Sequence, residues 1–213
     1  MKLKICGMKY AKNLREVATL QPDYLGFIFY EKSPRYMADC LAPEEVKAIP
    51  DRIQKIGVFV NAINEYILQQ AQHFGLNGVQ LHGDESPVQC RELKAANYTV
   101  IKVFRLGSVN FDFTQLASYE AHVDYFLFDT QTPNYGGSGH TFDWSQLEEY
   151  TLTTPFFLSG GIGLDNLEEA LSLNHDQFIG LDVNSRFEIE PGHKDSTRLK
   201  KLVNKVRNPH SEE

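Results

Sequence analysis

The 213 residues, 42% hydrophobic, 23% charged and 12% aromatic, have the make-up of a globular chain rather than a disordered or fibrous one. A formal charge of -7 disfavours nonspecific nucleic-acid binding. No apolar run approaches the roughly 18 residues of a membrane span, and the N-terminus enters strand-like sequence without a secretory leader, so the expected location is the cytoplasm. Three cysteines, Cys6, Cys40 and Cys90, are an odd number in no close pairing pattern, which favours reduced thiols over a disulfide framework.

In chain order, the first strand-like run is "KLKIC", ending in Cys6 and Gly7 before a helix-period segment through Leu14, Val17 and Ala18. A thiol has a reference pKa near 8.5, and Lys4 reads as too far round the strand to activate it. Taken alone, Cys6 is either a small buried residue or a proton acceptor; Gly7 leaves the backbone free for a tight turn or a close ligand approach. The second run, "YLGFIFY", leads into "YEKSPRYM", too polar and Pro-interrupted for a helix. There Arg35 is either an exposed surface residue or a bidentate clamp for a carboxylate.

"KIGVFVN" follows, with Ile63, Tyr66, Ile67 and Phe74 at helical spacing behind it, and then "GVQLHG" and "TVIKVFRL". His82 and Arg105 stand at the ends of these last two runs, as mouth-lining or structural groups. The segments after the fifth and sixth strands, "FTQLASYEAHV" and "WSQLEEY", are short for helices. Asp129 closes "YFLFD", where apolar neighbours suit a carboxyl group kept protonated, and where an Asp accepting loop amides would also fit. "TQTPNYGGSGHTFDW" lacks the ending of a P-loop and reads as a lid over a substrate.

"LSGGIGLDNLEEAL" runs from a strand through Gly160 and Gly161 to Asp165 as a helix cap, and then into a helix with Leu164, Leu167 and Leu171. Paired glycines beside a helix N-terminus suit a phosphate. "GLDVNSRFEIEPGHKD" adds Asn184, Ser185 and Arg186 in the next unit. The last helix carries Leu199, Leu202, Val203 and Val206 on one side. Its basic residues, Lys200, Lys201, Lys205 and Arg207, form a solvated face.

Taking Cys6, Phe29, Val60, His82, Phe104, Asp129, Ser159 and Val183 as strand ends, successive ends lie 22 to 31 residues apart. Each interval holds one strand, one loop and one helix. Eight such units without a composition break predict a single (β/α)8 barrel over residues 1–213, with reactive groups at the carboxyl ends of the strands. The His and Cys residues fall into no metal-ligand spacing and no Rossmann fingerprint follows a strand, so neither a metal nor a nicotinamide cofactor is expected.

The ordered stretches "KICGMK", "GFIFYEKSPRYM", "GVFVN", "GVQLHGDES", "FDTQTPNYGGSGHTFDW", "LSGGI" and "DVNSRFEIEPGHKD" resemble the phosphoribosylanthranilate isomerase family over nearly the whole chain. The resemblance implies a cofactor-independent Amadori rearrangement in tryptophan biosynthesis. It implies Cys6 as general base, Asp129 as general acid, Arg35 on the anthranilate carboxylate, and the "LSGG" glycines with the "DVNS" turn on the phosphate. His82 and Arg186 are further candidate binding residues; Arg186 and Phe187 stand where many relatives have Gly and a small aliphatic residue. The expected partner is a small phosphorylated substrate, with no nucleic acid, membrane or obligate protein partner. A histidine-pathway isomerase on the same scaffold would use paired aspartates and two similar half-barrels. A retired phospholigand-binding barrel would lack the base or the acid. Cys40 and Cys90 are expected to be inert.

Overall fold

The computed structural model describes residues 1–107, 111–130 and 144–208. Eight parallel strands close on themselves: β1 (Lys2–Ile5), β2 (Tyr24–Ile28), β3 (Gln54–Phe59), β4 (Gly78–Leu81), β5 (Thr99–Leu106), β6 (Tyr125–Thr130), β7 (Phe156–Ser159) and β8 (Phe178–Val183). The ring is sealed by β1 against β8, with Lys4 opposite Asp182 and Ile5 opposite Val183. The (β/α)8 barrel read from the sequence is the fold observed.

Strand alternation divides the apolar residues into two bodies. Tyr24, Ile56, Ile101, Val103, Leu127 and Phe157 face inward and pack together inside the ring. Their neighbours on the opposite face, including Leu3, Leu25, Phe27, Val79, Phe126 and Phe128, join the layer between sheet and helices. At the amino end of the strands Lys2 Nζ donates to the hydroxyls of Tyr24 and Tyr125, both at 3.1 Å, and closes the barrel floor. The open mouth is therefore at the carboxyl ends.

The helices around the ring are α1 (Ala11–Ala18), α2 (Pro43–Lys47), α3 (Asn64–Phe74), α4 (Pro87–Ala95), α5 (Leu167–Leu171) and α6 (Ser196–Arg207). Two start on signals that are plain in the sequence. Ser86 accepts from the Gln89 amide with Pro87 in the first turn, and Asp195 accepts from the amides of Thr197 and Arg198. Leu199, Leu202, Val203 and Val206 are the buried stripe of α6, and the basic residues of that helix lie outside it. After β5 and β6 the helical pieces are 3-10 turns, at Phe113–Ser118, Glu120–His122 and Trp144–Glu149. Their buried pairs, Phe113 with Leu116 and Trp144 with Leu147, are three apart, which suits a helix of three residues per turn.

Behind β8 a short hairpin, β9 (Glu188–Glu190) with β10 (His193–Lys194), folds back toward α1. The buried side chain of Asn13 clamps it, donating to the Lys194 carbonyl at 2.9 Å and accepting from the Lys194 amide at 2.8 Å. That clamp aims the Lys194 side chain at the barrel mouth.

Candidate active site

At the end of β1, Lys4 and Cys6 are two residues apart and so share the inward face. The expectation that Lys4 lies too far round the strand is corrected by this alternation: the Lys4 ammonium and the Cys6 sulfur border the same gap beside Gly26 and act on one another electrostatically. Gly26, on the neighbouring strand, makes the meeting possible. A Cβ there would lie 2.8 Å from Cys6 Sγ and 3.1 Å from Lys4 Nζ. Lys4 Nζ also donates to Asp182 Oδ1 at 3.0 Å, and the two side chains are 0% and 5% exposed.

Burial pushes the Cys6 thiol up, Lys4 and Lys194 pull it down and Asp182 pushes it up again, leaving it above its ordinary value. Burial works against the charge on Lys4, but Asp182 and Cys6 more than offset this and its pKa is raised. Asp182 is raised by burial against the pull of Lys4.

On the other side, Asp129 Oδ2 lies 3.3 Å from His82 Nε2, while His82 Nδ1 lies 3.3 Å from the side-chain nitrogen of Gln80. His82 and Asp129 remain 24% and 20% exposed, open enough to meet a ligand. Arg105 is paired in register with Asp129 and is exposed.

Arg35 comes to the mouth from the loop after β2. Its Nε donates to both Glu188 oxygens at 3.0 Å and its Nη2 to Oε2 at 2.6 Å. Glu188 also accepts from Lys194 Nζ at 2.6 Å and from the Gly192 amide at 3.0 Å, and Lys194 Nζ reaches Asn184 Oδ1 at 2.7 Å. Gly7, with φ of 80°, sits between these groups. A Cβ on it would approach Asn184 Oδ1 to 2.8 Å and the Arg35 side chain to 2.9 Å, so a glycine is required.

Beyond β7, Gly160 and Gly161 take φ of 95° and 64°, and among the described residues no atom lies within 4 Å of a Cβ built on Gly161. Among the described residues the amides of Gly161, Ser185 and Arg186 donate no hydrogen bond. Asp165 does not cap α5. Asn166 holds the cap position and its side chain accepts from the Gly163 amide at 2.7 Å. Asp165 is instead held by Arg186 Nη2, 2.5 Å from both carboxylate oxygens. The long segment read as a lid falls largely outside the described residues. Among those described, no group of three His, Cys, Asp or Glu side chains could hold a metal ion. Among the described residues no helix is long and apolar enough to cross a membrane.

The structure therefore brings Cys6, Asp129, His82, Arg35, Asn184 and the glycine turn to one end of the barrel. It adds Lys4, Asp182, Glu188 and Lys194, which were missed. Strand alternation would have found Lys4; the other three depend on pairings between distant parts of the chain.

A closed parallel barrel with its buried thiol, its carboxylates and its open glycine turn all at one mouth defines a (β/α)8-barrel enzyme. Residues 3–205 match the family described as N-(5'-phosphoribosyl)anthranilate (PRA) isomerase. The N-(5'-phosphoribosyl)anthranilate isomerase of Parabacteroides distasonis is 45% identical over 212 residues, covering 98% of this chain and 95% of the relative. The crystal structure of the phosphoribosyl anthranilate isomerase of Thermus thermophilus superposes with a TM-score of 0.83 at 29% identity, over 99% of this chain and 100% of that one. A phosphoribosyl anthranilate isomerase in complex with reduced 1-(o-carboxyphenylamino)-1-deoxyribulose 5-phosphate gives a TM-score of 0.79 at 31% identity, over 98% of this chain and 99% of that one. The chain belongs to the N-(5'-phosphoribosyl)anthranilate isomerase family and is an isomerase.

Proposed function

We propose that this isomerase carries out the Amadori rearrangement of N-(5-phosphoribosyl)anthranilate to 1-(2-carboxyphenylamino)-1-deoxyribulose 5-phosphate, in the cytoplasm, as a step of tryptophan biosynthesis. The observation that carries the reading is the placement of Cys6 and Asp129 at the ends of β1 and β6, on either side of one mouth. A sugar bound between them presents its ring oxygen to one and its C2 hydrogen to the other.

Asp129 gives a proton to the furanose ring oxygen and the C1–O bond breaks, leaving a protonated Schiff base with the anthranilate nitrogen. The Cys6 thiolate removes the proton from C2, and the electron pair moves toward the iminium to give an enolamine. Tautomerisation yields the ketone, so nothing is gained or lost overall. Proton transfers of this kind need heavy atoms about 2.6 to 3.2 Å apart or one bridging water. His82, 3.3 Å from Asp129, orients its carboxyl group.

The substrate's two anionic ends are matched by separate features. Arg35, fixed in plane by Glu188, takes the anthranilate carboxylate. The Gly160–Gly161 turn and the Asn184–Ser185–Arg186 turn take the phosphate. The amides of Gly161, Ser185 and Arg186, which donate to no group among the described residues, support this assignment. The reaction is tested by following the loss of anthranilate-type fluorescence on freshly made substrate and identifying the product as the deoxyribulose phosphate. A folded protein with no conversion above the spontaneous rate overturns the reading.

A further inference from the structure

We propose that Lys4 is a positioning residue for the reaction: its ammonium, fixed by Asp182, favours the anionic form of the Cys6 sulfur that accepts the substrate proton. The inference rests on the assignment of Cys6 as base and extends it to the residue that makes a buried thiol usable.

The inward faces of the barrel strands are mostly apolar, with Ile56, Ile101, Leu127 and Phe157 among them. Lys4 is a fully buried cation in this setting, and such a group is costly to place. One carboxylate, on Asp182, lies against it at 3.0 Å, in cross-strand register. An ammonium has three donor protons. Cys6 Sγ shares with it the gap left by the missing side chain of Gly26, the two atoms lying 2.8 and 3.1 Å from a Cβ built there.

The charged groups around the thiol come from several elements. Lys4 lies on β1, Asp182 on β8 and Lys194 on β10. Glu188 and Arg35 stand behind Lys194, and Asp129 and His82 lie across the mouth. Lys194 acts on Cys6 in the same sense as Lys4, but burial depresses its own pKa and it is shared with Glu188 and Asn184. Lys4 has a raised pKa and keeps its charge.

The test uses the full chain with Cys40→Ser and Cys90→Ala, so that Cys6 is the remaining thiol, and follows thiolate absorbance against pH. Lys4→Met is expected to move the Cys6 titration upward by about one pH unit or more, the scale of an opposite charge at close range. The acid limb of the turnover profile should move the same way. If Lys4→Met does not fold, the pair Lys4→Gln with Asp182→Asn keeps a hydrogen bond in place of the ion pair and should shift the titration upward by less. An unmoved or lowered titration in a folded variant overturns the proposal. Loss of the fold in both would make Lys4 a structural residue and equally overturn it. The titration needs no turnover, so full activity in Cys6→Ser would remove the base assignment separately.

Discussion

His82, directly after β4, and Asp129, on β6, meet at 3.3 Å on one side of the barrel mouth, and both stay partly open to a ligand. If Asp129 is the acid, Asp129→Asn keeps the shape and loses the donated proton. Turnover should then fall about a hundredfold or more, the usual contribution of a positioned acid. His82→Gln should lower kcat by less while leaving KM nearly unchanged. Steady-state kinetics separates the two, and undiminished turnover in Asp129→Asn would move the acid elsewhere.

Arg35 is expected to act on binding. Arg35→Ala should raise KM more than it lowers kcat, because the anthranilate carboxylate loses its clamp. The same change strips a donor from Glu188, a side chain 4% exposed, so denaturant unfolding should show a loss of about 1 to 3 kcal/mol. An unaltered KM would end the carboxylate assignment.

Burial pushes the Glu188 carboxyl group up, but Arg35, Lys194 and the Gly192 amide more than reverse this and hold it below the ordinary glutamate range. The folded value is thus below the unfolded one. Its stabilisation is present above the unfolded pKa of about 4.3 and is lost as pH falls through the folded value. Urea midpoints of the native protein should therefore drop through this acid window. Glu188→Gln should drop less steeply; equal slopes would show that the carboxylate is not the linked group.

Gly26→Ala places a methyl group 2.8 Å from Cys6 Sγ and 3.0 Å from Cys6 Cα. Overpacking of this kind typically costs about 1 to 3 kcal/mol. Because the displaced atoms are Cys6 and Lys4, turnover should suffer more than stability. Parallel thermal unfolding and kinetics will show it, and a fully active Gly26→Ala would mean that the thiol and ammonium need not meet there.

Much of this architecture was legible because buried parallel strands are written as apolar runs, and the eight runs end within two residues of the observed strands. The short turns after β5 and β6 were less legible: Phe113 with Leu116 offers one three-residue repeat, too little to separate a 3-10 turn from a helix. Cys6, Asp129 and the two glycines stood out because each interrupts or ends an apolar run. Lys4 was misjudged by setting aside the two-residue period of a strand. Asp182, Glu188 and Lys194 gain their roles from contacts 178, 153 and 181 residues away in the chain, with Lys4, Arg35 and Asn13, and no local pattern carries such pairings. Asp165 followed capping propensity, yet Arg186 claims its carboxylate and Asn166 takes the cap position.

The central claim is that the thiol at the end of the first strand is the base of an Amadori isomerase. The most direct measurement is the decay of substrate fluorescence with the native protein and with Cys6→Ser, each checked for the fold and for binding of a reduced product analogue. Fast decay with the native protein, reduced to background in a Cys6→Ser variant that still binds the analogue, is the predicted result. Comparable decay in both proteins would contradict the account.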